Sequence, residues 1–163
     1  MARDLSEYSD RLERWLTWNA KARSGRIGHL TPLRDSSLAR SWLVRVQVTG
    51  GEFAGDQTLV IRNSAQPPIL DEISRAQEFA VLEAAFHAGV TVPEPLWLCQ
   101  DAGVLGEDFL VTRAIVGGRS GQHLARNESE SLDRQELLVR VGRELARLHT
   151  VKPDNPRLDA LPG

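Results

Sequence analysis

A single cysteine stands in the 163 residues, so the chain can form neither an intramolecular disulfide nor a thiolate-ligated metal cluster, and its composition suits a reducing compartment. Cys99 itself reads as a small buried apolar residue, with a reactive thiol as the alternative. No run approaches the ~20 consecutive apolar residues of a membrane span. The N-terminus "MARDLSEYSDRLERWL" is charged from its third residue, unlike a secretory signal. A basic excess is missing too: 20 Lys and Arg face 22 Asp and Glu, for a net charge of -2, which argues against a phosphate backbone as the main partner. The expectation is a soluble cytoplasmic protein with neither nucleic acid nor membrane among its partners.

What is present is enough for one domain with a core, since 41% of the residues are hydrophobic and a chain of this length buries roughly 70% of its unfolded surface. From Ser6 to about Arg23, Leu5, Tyr8, Leu12, Trp15 and Leu16 recur at helical spacing. The tryptophans of that stripe read as core packing or, alternatively, as a partner-binding face. After Gly25 the period changes to two. "RIGHLTPLR" predicts a short strand, and "ARSWLVRVQV" a longer one with Trp42, Val44, Val46 and Val48 on one face and Arg45 and Gln47 on the other. The glycine-rich "TGGEFAGD" turns the chain back into "TLVIRN", whose Thr58, Val60 and Arg62 share a face.

"SAQPP" forces a loop, and Asp71 or Ser74 can cap a helix that runs to His87 or Ala88 and stops at Gly89. "LWLCQ" and "DFLVTRAIV", separated by the turn "DAGVLGED", read as a second hairpin. The polar stretch from Arg119 to Ser131 reads as a loop with a helical turn at "GQHLAR", and 132–150 as an amphipathic helix with Leu137, Leu138, Val141, Leu145 and Leu148 on one side. The proline-punctuated tail "VKPDNPRLDALPG" fits no regular element. The order gives an α+β fold: a five-stranded antiparallel sheet with a packed helix, preceded by an N-terminal helix and followed by one more. It lacks the βαβ rhythm of a dinucleotide-binding fold.

An arginine inside the apolar strand "TLVIRN" asks for a reason. A cation on a strand can orient the phosphates of a nucleotide, and a carboxylate from a neighbouring helix can steady it; Glu78 in "RAQEFAVLEAAF" is the candidate. Two solvated surface charges coupled by less than about 1 kcal/mol are the plainer alternative.

The block from Leu59 to Gly118, "LVIRN…RAQEFAVLEAAFHAGVTVPEPLWLCQDAGVLGEDFLVTRAIVGG", resembles the small lobe of the aminoglycoside phosphotransferase and choline-kinase-like family. The shared features come in order: the basic residue Arg62, Glu78 in an E-x-x-V-L pattern, the exit "G-V-x-V-P-x-P", and an apolar strand ending in glycine. "ELARLH" at 144–149 resembles the helix that begins the family's large lobe. The resemblance implies ATP as cofactor, with Arg62 orienting phosphates and Glu78 anchoring it. It also implies Val60 against the adenine, Val44 as a second wall, and the backbone of Thr112, Arg113, Ala114 and Ile115 as the hinge that hydrogen-bonds the adenine edge. Thr112, Arg113 and Ala114 depart from the family's commoner Met-Glu-aromatic, so main-chain groups would do the recognising. Where kinases fold a loop over the phosphates this sequence has "LRDSSLARS", without G-x-G-x-x-G. Ser36 and Ser37 with their amides would serve there, or the segment is a polar hairpin turn.

The family's H-G-D-x-x-x-x-N catalytic loop and second metal-binding aspartate do not occur in the sequence. "HTVKPDN" is no substitute, because its His and Asp are five apart where the motif needs two. The expectation is therefore a kinase-like N-terminal lobe at 1–118, a linker and the first large-lobe helix at 119–163, and no metal site within the chain. Such a fragment would be the ATP-binding lobe of a kinase and would not turn over alone, magnesium and a small-molecule hydroxyl acceptor belonging to the complete enzyme. Self-association through the open cleft face or the 132–150 helix is expected, and a kinase-derived interaction module using Trp15 and Trp42 is the rival reading.

Overall fold

The computed structural model describes residues 8–33, 41–63, 73–115, 134–159 and 161. Five strands form one antiparallel sheet in the order β1-β2-β3-β5-β4, from β1 (Ser24–Leu33), β2 (Ser41–Thr49), β3 (Gly55–Asn63), β4 (Pro95–Cys99) and β5 (Phe109–Arg113). Helices α1 (Ser9–Asn19), α2 (Arg75–His87), the one-turn α3 (Ala102–Leu105) and α4 (Arg134–Leu148) complete the regular structure with a 3-10 turn at Pro156–Leu158.

The valine alternation of β2 decides which face of the sheet is core. Trp42, Val44, Val46 and Val48 are buried, as are Leu59 and Ile61 of β3 and Phe109 and Val111 of β5. The register aligns them across the strands, Val44 opposite Leu59, Trp42 opposite Ile61, and Ile61 opposite Val111. Leu12 and Leu16 of α1 close this layer, each worth about 2 kcal/mol in burial. Glu13 fixes the helix on the sheet by accepting the Ile27 N–H at 2.7 Å, and Arg11 donates to the Gly103 carbonyl of α3 at 3.1 Å. Trp15 meets Phe109 and Trp97 edge-on, with centroids 4.9 and 6.2 Å away. The helix ends at Asn19, short of the expected Arg23, where Lys21 takes a positive φ of 48°. Gly51 of the β2–β3 turn packs against that end: a Cβ there would lie 2.8 Å from the carbonyl oxygens of Ala20 and Lys21, so only glycine fits.

The opposite face is covered at one end. Ser74 caps α2 through a reciprocal pair, the Gln77 N–H donating to Ser74 Oγ at 3.1 Å and the Ser74 N–H to Gln77 Oε1 at 2.9 Å. Ala80, Ala84 and Ala85 bury this helix against β4 and β5, small residues allowing close approach.

Two expectations need correction. The "DAGVLGED" turn contains α3, because Asp101 caps it by accepting the Gly103 N–H at 2.7 Å and Gly106 ends it at φ 83°. The tail does hold a regular turn: Asn155 accepts the Arg157 N–H at 3.0 Å and Pro156 occupies the first position, where its missing N–H costs nothing. This turn packs against α2. The helical turn expected at "GQHLAR" lies outside the described residues.

Candidate functional site

Strand parity builds the site. With 59, 61 and 63 turned to the α1 side, Thr58, Val60 and Arg62 face the other way, towards the side that α2 covers only over β4 and β5. On that face the register aligns Leu43, Val60 and Thr112 in one row and Ser41, Arg62 and Leu110 in the next. Glu78 sits in the first turn of α2. The helix lies where this carboxylate meets the guanidinium, Arg62 Nη1 to Glu78 Oε1 at 3.2 Å. Arg62 keeps 43% of its side chain exposed while Glu78 keeps 15%, so the acid is the fixed partner and the base reaches the open face. The Nε of Arg62 is buried without a hydrogen-bond partner among the described residues.

A third charged group, not foreseen from the sequence, completes the cluster. Arg75, one turn before Glu78 on α2, is 3% exposed and pairs with Glu78 Oε2. Two guanidinium groups thus share one carboxylate. The signal in the sequence was the i, i+3 spacing of Arg75 and Glu78, which periodicity alone could not distinguish from an exposed helix pair.

The hinge segment is braced by its neighbours. The Arg113 N–H donates to the Glu94 carbonyl at 2.9 Å and the Ala114 N–H to the Thr58 carbonyl at 3.0 Å. Among the described residues the Ile115 N–H has no such partner. Thr112 is buried beside Val60, whereas the Arg113 side chain lies opposite Leu59, on the other face. There it donates to Glu94 Oε2 at 2.6 Å and Gln57 Oε1 at 2.8 Å and stands 5.9 Å over the Phe53 ring. Arg113 could serve an adenine only through its main chain.

Other expected residues divide. Val44 is fully buried in the α1 layer and cannot form a second wall with Val60. Parity gives that place to Leu43, directly opposite Val60. The apolar alternation of β2 already put Val44 with Trp42, Val46 and Val48, so the conflict was visible in the pattern itself. Ser36 and Ser37 lie outside the described residues. Of the tryptophans assigned to a partner surface, Trp42 is buried and Trp15 half-buried in the aromatic cluster; Trp18 is the exposed one, at 83%. Cys99 is buried, and its thiol pKa is raised mainly by desolvation. Among the described residues no three His, Cys, Asp or Glu side chains come together as a metal site.

Comparison with known proteins places the chain in a family. Acyl-CoA dehydrogenase family member 11 of Gallus gallus is 34% identical over 97 residues, 59% of this chain and 12% of the relative. The Mus musculus protein of the same name is 31% identical over 106 residues, 64% of this chain and 14% of the relative, and that of Pongo abelii 30% over 106 residues, 64% and 13%. The chain thus covers only 12–14% of the length of these relatives. A sequence profile of the phosphotransferase enzyme family matches residues 29–162, which takes in the second half of β1, the other four strands, α2 and α4. The chain, with its kinase-like antiparallel sheet and helix-borne carboxylate, therefore belongs to the phosphotransferase enzyme family.

Proposed function

We propose that this chain is the ATP-binding lobe of a small-molecule kinase. The observation that carries the reading is the Arg62–Glu78 pair at 3.2 Å on the sheet face that, among the described residues, α2 covers only in part. Arg62 binds phosphate oxygens with the guanidinium donors Glu78 does not occupy, and Glu78, mostly buried, keeps the side chain from wandering. Arginine suits this because its planar fork holds a carboxylate and a phosphate together. Val60 and Leu43 form the apolar surface under the adenine, and the Ile115 N–H, without a main-chain partner among the described residues, offers a hydrogen bond to its edge.

Phosphoryl transfer also requires an acid to take the acceptor's proton and side chains to hold magnesium. Their motif is not among the 163 residues, so the chain by itself binds nucleotide without transferring phosphate. Among acceptors, the name of the relatives leans towards a hydroxylated acyl group over a sugar, choline or an aminoglycoside.

Calorimetric titration tests the reading with a non-hydrolysable ATP analogue and adenosine as ligands. Arg62→Ala is expected to lower affinity for the analogue ten- to a hundredfold, the loss of about 1.5–3 kcal/mol from charged hydrogen bonds, and to leave adenosine binding unchanged. Equal loss for both ligands, or no loss, would refute it. A second reading, a non-catalytic interaction module, is favoured by the exposed apolar side chains of α4 and by Trp18. Under that reading Arg62 is replaceable and Trp18 is not.

A further inference from the structure

We infer that the groove over an irregularity in β1 is a second anion site, built for a small molecule that carries a diphosphate or phosphate group and separate from Arg62. It goes beyond the nucleotide reading and does not rest on it.

The groove begins with a break in strand pairing. β1 pairs regularly with β2 from Ser24 opposite Thr49 to Ile27 opposite Val46, and then His29, not Gly28, stands opposite Arg45. Gly28 is the extra residue of a β-bulge, which reverses the parity of the strand beyond it. Ile27 and Leu30 therefore both pack on the core, while Arg26 and His29 are exposed and lie opposite Gln47 and Arg45 of the other face. Glu13 holds the start of the bulge by accepting the Ile27 N–H at 2.7 Å. Gly28, without a side chain, leaves the space above it open.

The result is a groove of about 520 Å³ whose lining includes Arg26, Gly28, Arg45, Gln47, Asp56 and Thr58. Arg26 lies opposite Gln47 and so diagonal to Arg45, a spacing that long side chains bridge. Neither arginine is ion-paired among the described residues, and neither is Asp56. Asp56 stands on β3 opposite Gln47, so its charge favours an anion seated on the β1–β2 side. Two guanidinium groups, the Gln47 amide and the Thr58 hydroxyl offer more donors than the two oxygens of a carboxylate accept. The several oxygens of a diphosphate match them, and the planar fork of arginine suits that anion.

Distance separates this groove from Arg62. Arg45 is opposite Thr58 and Ser41 is opposite Arg62, so four residues of strand lie between the two rows, roughly 14 Å. A nucleotide with its phosphates at Arg62 and its base on Val60, between the rows, does not bring those phosphates back to Arg45. An anion in the groove is a second group.

The test is a titration of the whole chain with inorganic pyrophosphate at about 0.15 M salt, read on the arginine Nε–H signals by nitrogen-15 NMR. Saturable shifts of Arg26 and Arg45 are expected in wild type and, unchanged, in Arg62→Ala. Arg45→Gln and Arg26→Gln, both at exposed positions, should each weaken pyrophosphate about tenfold, and Asp56→Asn should tighten it severalfold. Shifts that fail to saturate, that citrate reproduces at the same concentration, or that keep wild-type affinity in Arg45→Gln would show counter-ion attraction only and overturn the inference. Shifts that disappear in Arg62→Ala would put the anion at Arg62 and overturn it too. The ATP analogue separates this from the nucleotide reading. If no analogue binds while pyrophosphate still saturates the two arginines, the nucleotide reading fails alone. If the analogue binds and leaves both arginines free to take pyrophosphate, the two sites stand together; an analogue that displaces pyrophosphate from them overturns the second site.

Discussion

Residues 43 and 44 are adjacent in sequence and opposite in consequence. Val44 lies in the α1 layer with no exposure, so Val44→Ala opens a cavity and should cost about 2 kcal/mol, read as a lower denaturation midpoint with nucleotide affinity unaltered. Leu43→Ala, on the open face opposite Val60, should do the converse, weakening adenosine and ATP analogue alike by several-fold with little change in stability. A stability loss at Leu43 larger than at Val44 would show the two faces to be assigned the wrong way round. Cys99 behaves as its environment dictates. Burial disfavours the thiolate and raises the thiol pKa, so reaction with a disulfide reagent at neutral pH should be slow in the native chain and fast after unfolding. Fast reaction of the folded protein would show that the thiol is accessible.

At the scale of elements, α4 is tied to the rest through a carboxylate. The Thr91 N–H, between α2 and β4, donates to Glu144 Oε2 at 2.7 Å, while Arg147 donates to Oε1 at 2.7 Å. The Glu144 pKa falls below its ordinary 4.5 chiefly because the Thr91 N–H bonds to the charged form. A value lower in the folded state than in the unfolded means the contact stabilises above the unfolded pKa and is lost as pH falls through the folded one. Hydrogen exchange at Thr91 should therefore lose protection as the solution is acidified below 4.5, and Glu144→Ala should remove that step; an acid-insensitive Thr91 amide would exclude the tie. The same scale shows what the sequence could convey. The alternation of β2 and β3, the Ser74 cap and the Gly89 stop were all local signals, and each element formed where they pointed. The Arg62–Glu78 meeting was also legible, through the resemblance and strand parity together. What stayed hidden depended on packing that no local pattern records: the burial of Arg75 at the start of α2, the Arg113 contacts with Glu94 and Gln57, and the packing of the 3-10 turn on α2. None of these has a period. Val44 was misplaced for a different reason, since the family role was laid over an alternation that already denied it.

Among the described residues there is a packed layer under α1, a sheet face beside α2 left partly uncovered, and an α4 whose Leu137, Leu138, Val141, Leu145 and Leu148 are exposed. Exposed apolar side chains at helical spacing favour association. Light scattering after size exclusion should show mass rising with concentration and returning to the monomer in Leu138→Glu/Val141→Glu; a wild type that stays monomeric at every concentration would count against association through this helix. The open face remains the principal assignment, because the whole functional reading depends on a nucleotide lying there and nowhere else. Intermolecular NOEs between the adenine protons of a bound ATP analogue and assigned methyl groups test it. The expected result is contacts to Val60 and Leu43 and none to Val44. Contacts confined to other surfaces, such as the exposed side of α4 or the surroundings of Trp18, would remove the nucleotide from the Arg62 face and the proposed function with it.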